Sequence, residues 1–359
     1  MNGKKVFVGV SGGVDSSVSL ALLKEQGYDV TGVFLKVWYP DFMPCNWKEE
    51  RLSAMRVCAT LGVPFITLDC EKEYKKEVVD YMINEYSLGR VPNPDIFCNK
   101  YVKFGVFLQK AKEMGADFFA TGHYAQNIEK NGIFYLTESA DKEKDQSYFL
   151  YTLTQDQLKY ILFPVGHLTK PEVRNLAEKF NLPTATKKDS QGLCFMGNID
   201  IKEFLNHFIE TKRGDVLNTS GKVIGYHEGS QFLTIGQRHG FIITKKSPED
   251  PRYFIVDKDI EKNTITVASK DQEIDRIHSI TSIQIKNLHF ISNFGKTMPL
   301  KASVRIRYRQ EKINCVIKNE DSVYEIVFEK PQNAIAIGQS AVVYQDDVCL
   351  GGGIIEKVN

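Results

Sequence analysis

Three short strings in this chain hold residues whose types and spacing suit chemistry. Residues Ser11 to Ser17 read SGGVDSS, directly after the apolar run Val6 to Val10 and before Val18 to Leu23, which has helical spacing. Two glycines let the backbone turn tightly and aim its N–H groups at an anion, and a helix begun there adds its positive end. A triphosphate or pyrophosphate suits such a cradle. The string lacks the lysine of a GxxxxGK loop and the GxGxxG of a dinucleotide fold, which argues against kinases, GTPases and dehydrogenases. The second string, VPNPDIFCNK (residues 91–100), has two prolines that postpone a helix until about Asp95. Cys98 then falls in a first helical turn, where the positive helix end stabilises a thiolate and Lys100 and Lys103 add charge. Asp95, three residues earlier, is the candidate general acid or base, with a helix N-cap as its plainer role. The third string, KKDSQGLCFMG (residues 187–197), puts Cys194 in a glycine-flanked polar loop beside two lysines. Cys58, Cys70, Cys315 and Cys349 lie in or beside apolar runs and read as buried small hydrophobes, while Cys45, in a proline-containing loop, stays undecided.

The elements that must hold these strings are legible as patterns. Apolar runs Val6 to Val10, Val30 to Val37, Phe65 to Leu68 and Phe118 to Thr121 alternate with helical segments such as Glu49 to Leu61 and Lys100 to Met114. This alternation predicts an α/β fold with a doubly wound parallel sheet, whose ligands sit beyond the carboxyl ends of the strands. The Ser11 loop, Phe34 to Lys36 and Thr121-Gly122-His123 all follow strand runs and are expected to converge on one nucleotide. Past about Lys212 the helical period stops. Short strands follow at Gly214 to Val216, Val223 to Tyr226, Tyr253 to Asp257 and Thr264 to Val267, and a third block from about Ile283 again reads as strands. Two small β-rich domains, each expected to be a barrel, are therefore predicted after the parallel domain, with divisions at 1–208, 209–280 and 281–359. In Val304 to Arg309 a period of two puts Arg305, Arg307 and Arg309 on one strand face, a row suited to RNA phosphates or to plain solvent exposure.

Bulk properties narrow the classes. The chain has 359 residues, enough for two or three domains, with 42% hydrophobic and 25% charged residues as in ordinary soluble proteins. No run approaches a membrane span and no signal h-region precedes the first strand, so a cytoplasmic address with no membrane contact is expected. A net charge of +1 does not advertise nucleic acid, so RNA contact must rest on local basic patches. Seven cysteines with no CxxC pair argue against a secreted disulfide framework and against a zinc ribbon.

The SGGVDSS loop resembles the PP-loop of the N-type ATP pyrophosphatases, of the adenine nucleotide alpha hydrolase-like fold. GVSGGVDSS, GRVPNPDIFCNKYVKF, ATGHYA, KDQSYFLY, KKDSQGLCFMG, TIGQRHG, VRIRYRQ and CLGGGII, in this order, resemble the bacterial tRNA-specific 2-thiouridylase family over Lys5 to Ile355. Two departures stand out: Ile337 replaces a usual proline, and Tyr39 to Trp47 lacks the usual acidic loop. The resemblance implies replacement of the C2 oxygen of wobble uridine 34 by sulfur in tRNAs for Lys, Glu and Gln, with ATP and Mg2+ as cofactors. It implies nucleotide contacts along Gly9, Val10, Ser11, Gly12, Gly13, Val14, Asp15 and Ser16, with Asp15 near Mg2+ and with Leu35 and Gly122 against the adenosine. Cys194 would carry a persulfide and Cys98 would close a disulfide with it. Contacts to tRNA would come from Asn93, Pro94, Asp95, His123, Lys144, Asp145, Gln146, Arg307, Tyr308 and Gln339. A cysteine desulfurase or sulfur-relay protein would be the sulfur source and the enzyme a monomer on tRNA. Rival readings are a PP-loop synthetase that uses an amine, a thiolase whose Asp95, Cys98 and Cys194 hold an iron–sulfur cluster, and a tRNA-binding protein with a dead nucleotide site.

Overall fold

The run Val6 to Val10 becomes the central strand of a parallel sheet. A computed structural model describes residues 3–43, 47–189, 200–244, 252–269, 279–292, 297–320 and 323–359, so Cys45 and Cys194 lie outside the described residues. Strands β1 (Lys5–Gly9), β2 (Asp29–Lys36), β3 (Phe65–Asp69), β4 (Phe118–Ala120) and, after the hairpin strands β5 (Ala125–Lys130) and β6 (Ile133–Glu138), β7 (Ile161–Leu162) are the elements of interest. The parallel sheet has the order β3-β2-β1-β4-β7. Alternate side chains of β1 face opposite ways: Val6 and Val8 pack with helices α1 (Val14–Glu25) and α2 (Trp47–Leu61), while Phe7 packs with the helical segment around Phe104 and Phe107. Both faces are thus covered, which parallel strands require. Chain order reverses at β1, between β2 and β4, and opens the loops after β1 and β4 side by side.

The two appendages differ. The last six strands, from Ile280–Phe290 to Val348–Val358, close into a barrel because the first of them pairs with the last. The central block pairs five strands into one sheet among the described residues. The β5–β6 hairpin extends the C-terminal sheet through Thr137 and Val348, and so joins the first block to the third. Burial pushes the Cys58 and Cys70 thiols up to about 11 and the Cys315 thiol up to about 12, as expected of inert core cysteines.

The alternating arginine row breaks. Its strand, Leu300–Arg305, ends at the first of the three arginines, and the turn that follows takes Arg309 to a φ of 62°. Arg305 is nearly buried and ion-pairs with Glu138 at 2.9 Å and Asp145 at 2.6 Å, both carboxylates being buried as well. It is therefore an internal tie and not part of an RNA-facing row; exposure selects Arg307 and Arg309 instead. Replacing Arg305 with Ala takes from the buried Asp145 carboxylate the cation at 2.6 Å, while Glu138 keeps Lys142 at 2.9 Å and Lys312 at 3.2 Å. The expected loss is about 3–5 kcal/mol of unfolding free energy in urea at pH 7, and a loss below about 1 kcal/mol would show that the pair is solvated.

Candidate active site

The SGGVDSS loop sits where β1 hands over to α1. Gly12 has a φ of +77°, and a Cβ there would lie 2.7 Å from the Glu50 carbonyl, so only glycine fits this turn. Ser16 Oγ accepts from the Ser11 N–H at 3.2 Å and donates to the Gly13 carbonyl at 3.1 Å, which fixes the loop's curl. The helix begins at N-cap Gly13 with no side-chain cap, so its first-turn N–H groups keep their capacity for an anion. Gly122, after β4, presses against the same turn: a Cβ would come within 2.6 Å of the Ser16 nitrogen. The loops after β1 and β4 therefore meet at the sheet's crossover, as expected for Ser11 and Gly122. Leu35 lies at the end of β2, its side chain buried and its backbone in register with Leu68.

Charged groups from later in the chain tie onto this loop. Asp15 Oδ1 accepts from Tyr124 Oη at 2.8 Å and from Lys170 Nζ at 2.7 Å. Lys170 is also 2.9 Å from Asp189, which receives Arg174 at 2.7 Å and Lys144 at 2.8 Å. Burial works to raise the Asp189 carboxyl, but the hydrogen bonds from Lys144 and Lys170 hold it well below the usual range. Lys187 Nζ donates to the Gly12 carbonyl at 2.9 Å. Lys170, Arg174, Lys188 and Asp189 line an open cavity of about 640 Å³ beside the loop. Sequence reasoning missed Tyr124, Lys170 and Arg174. One signal was available: Thr169-Lys170-Pro171-Glu172 is a capping box with proline in the first turn, and it starts the helix Lys170–Lys179 at this point.

The Cys98 segment differs from the expectation in two ways. Its helix starts earlier, with Asn93 as N-cap and Pro94 in the first turn, so Asp95 is inside the helix and not its cap. Cys98 comes one turn later, at the start of a π-helical stretch (Cys98–Phe107), and is fully buried in the core instead of sitting at a solvated helix end. Single π turns inside helices often mark functional sites. Next to it, Asn99 donates to the Phe149 carbonyl at 3.1 Å, and Phe149 packs on Tyr308 with ring centroids 4.5 Å apart.

The expected tRNA contacts gather on this side, with several engaged internally. Asp145 is buried and accepts from the Ser139 and Ser147 amides as well as pairing with Arg305, so it shapes the loop rather than facing a ligand. Gln146 accepts from the Tyr124 amide at 2.9 Å, and Lys144 is held by Asp189. His123 is buried, 2.7 Å from Thr121 Oγ1, and desolvation with Lys103 nearby keeps its pKa well below the ordinary value, so the ring is neutral at pH 7. Arg307 donates to the Ala334 carbonyl. Gln339 gives its amide to the Val91 and Pro92 carbonyls, next to Asn93.

The chain matches three family models in succession: a tRNA methyl transferase HUP domain over residues 4–198, a tRNA methyl transferase PRC-barrel domain over 202–269 and an aminomethyltransferase beta-barrel domain over 280–355. It is similar along its whole length to curated relatives. The tRNA-specific 2-thiouridylase MnmA of Proteus mirabilis (strain HI4320) is 46% identical over 98% of this chain and 97% of the relative. The proteins of the same name from Shigella boydii serotype 4 (strain Sb227) and Pseudoalteromonas translucida (strain TAC 125) are 44% and 43% identical, each over 99% of this chain and over 97% and 98% of the relatives.

The charge network makes a prediction with a definite sign. A carboxyl held below its unfolded pKa of 3.8 contributes stability that is complete above that value and lost as the pH falls through the folded one. Asp189→Asn is expected to cost about 1–2 kcal/mol in urea unfolding at pH 7, with the gap from the parent closing below the unfolded value. A gap that does not change with pH would assign the effect to packing.

Proposed function

The chain belongs to the tRNA-specific 2-thiouridylase family and is a tRNA sulfurtransferase that forms 2-thiouridine; on that premise we propose how its residues divide the reaction. The parallel domain uses ATP to activate the base, and the two cysteines deliver sulfur. The target is uridine 34 of tRNAs for Lys, Glu and Gln, extruded from the anticodon stack toward Asn93, Pro94 and Asp95. The loop from Gly9 to Ser16 holds the triphosphate through backbone N–H groups, Leu35 and Gly122 border the adenosine, and Lys170 and Lys187 supply the cationic charge that the loop sequence lacks. One observation carries most weight: Lys187 and Asp189, five to seven residues before Cys194, are bonded to the loop through the Gly12 carbonyl and through Lys170. That attachment fixes Lys187 and Asp189, the residues that lead into the Cys194 string, beside the loop assigned to activation.

In the first step the uridine O2 attacks the α-phosphorus and pyrophosphate leaves. The terminal sulfur of a Cys194 persulfide then attacks C2 and AMP departs with the former O2. Cys98 attacks the Cys194 sulfur, which breaks the S–S bond, leaves sulfur on C2 and closes a Cys98–Cys194 disulfide. If Cys98 acts before transfer, sulfide is released beside C2 and the same disulfide forms. A thiol reductant restores the pair each turn. Asp95 moves the proton that these steps require. Asp15 suits a Mg2+ ion that arrives with the triphosphate and shields its charge, since Mg2+ takes one or two carboxylates plus substrate phosphates; its other neighbours Tyr124 and Lys170 engage Oδ1 alone. Among the described residues no three His, Cys, Asp or Glu side chains gather as a metal site.

Lys144, Arg307 and Tyr308 border the anticodon arm, with RNA read mainly through backbone and shape. Domain divisions at 1–208, 209–280 and 281–359, a monomeric state, a cytoplasmic location and sulfur delivery by a cysteine desulfurase or relay protein complete the reading. Among the described residues no helix is long and apolar enough to cross a membrane.

Separate removal of each thiol tests the division. Cys98→Ser and Cys194→Ser should each lower 2-thiouridine formation at least about 100-fold while tRNA-dependent pyrophosphate release persists. Full thiolation by either variant with a persulfide donor would refute the cysteine assignment.

A further inference from the structure

The C-cap Leu88 and the four residues 89–92 connect the helix Tyr81–Ser87 to Asn93 and the helix Pro94–Phe97 that leads to Cys98. Residues 89–92 form no regular element, and apart from local turns at the Gly89 and Arg90 amides, their backbone partners come from the two β blocks. From the central block, Lys258 Nζ donates to the Gly89 carbonyl at 2.7 Å and, at the same distance, to the Leu233 carbonyl of its own block. Ile260 lies directly behind Gly89, where a Cβ would come within 2.4 Å of its Cδ1. From the C-terminal block, the Ile337 carbonyl accepts from the Val91 amide at 2.9 Å, and Gln339 Nε2 donates to the Val91 carbonyl at 2.9 Å and the Pro92 carbonyl at 3.4 Å. Arg90 pairs with Glu356 at 3.3 Å. Gly338, with φ +94°, lies so close that its Cβ would be 2.9 Å from the Val91 nitrogen.

We propose that residues 89–92 form a strap clamped by both β blocks, and that Lys258 and Gln339 are positioning residues that set Asn93, Asp95 and Cys98 from outside the catalytic domain. Burial brings the Lys258 ammonium down to about 8, so a cation is held here at a desolvation cost that its two carbonyl acceptors offset. The prolines at 92 and 94 transmit the clamp. Each fixes its own φ, so a shift at Val91 passes into the first turn of the Asn93 helix with little slack. A loop that must present a base-contacting residue, an acid and a thiol together is thereby held at its entry by the domains that also meet the RNA. The inference rests on the catalytic reading of Asp95 and Cys98.

Lys258→Met and Gly338→Ala probe the clamp from its two sides, the second by adding a methyl group against Val91 instead of removing a donor. Each variant is expected to lower kcat for 2-thiouridine formation about tenfold while the tRNA KM changes less than about twofold. In the RNA-free enzyme, alkylation of Cys98 by N-ethylmaleimide, followed by peptide mass spectrometry, should accelerate severalfold in each, with the other buried cysteines unchanged. A raised tRNA KM in both variants with kcat and Cys98 alkylation unchanged would make the segment an RNA-binding element and overturn the proposal. Uniform acceleration at all cysteines would reduce the effect to general loosening and overturn it too. Should Cys98→Ser prove fully active, the catalytic reading fails; unchanged kcat in both variants beside an inactive Cys98→Ser fails the strap alone.

Discussion

The ion pair between Lys170 and the two carboxylates Asp15 and Asp189 is the interaction on which the rest of the site depends. Asp15 belongs to the anion loop, Lys170 opens a helix some 150 residues later, and Asp189 stands at the head of the segment that runs to Cys194. A glycine-rich turn with an uncapped helix binds a polyphosphate through N–H groups alone, and a chain that lacks a Walker lysine must draw its cation from elsewhere. The fold does so by returning Lys170 to the crossover between β1 and β4. Because Lys170 is shared with Asp189, the cation bonded to the anion loop also holds the residue that leads into the Cys194 string. On the proposed division of the reaction, this one side chain links the activating loop to the residues that precede the sulfur carrier in sequence.

A second constraint works from the other direction. The segment around Asn93 and Cys98 is entered through a stretch with no secondary structure of its own, and the β appendages make most of its non-local bonds. Inside the first block, Arg305 with Glu138 and Asp145 fastens the C-terminal barrel to the loop that carries Lys144 and Gln146. The barrel is thus a structural part of the first domain's loops.

Most of the scaffold was legible in the sequence. The four long apolar runs became β1 to β4 within a residue or two, since buried parallel strands leave unbroken apolar runs. The β5–β6 hairpin was missed, although Asn131-Gly132 is the turn sequence that a two-residue hairpin demands and both residues adopt positive φ. What periodicity could not reveal was partnership across blocks. An alternating Val-Arg-Ile-Arg pattern looks the same whether an arginine meets water or a buried carboxylate, and only Glu138 and Asp145, some 160 residues away, decide it for Arg305. Proline spacing located the Cys98 helix to within a residue or two. It could not say that the thiol would be covered by core side chains, because burial depends on core residues distant in the sequence.

If the loop activates the uridine oxygen as proposed, this oxygen leaves on AMP. A tRNA transcript with oxygen-18 at C2 of the target uridine, supplied to a thiolation reaction whose products are then analysed, decides it. One oxygen-18 atom is expected in the phosphate of AMP for each 2-thiouridine formed. Label found in water or in pyrophosphate, with none in AMP, would contradict it.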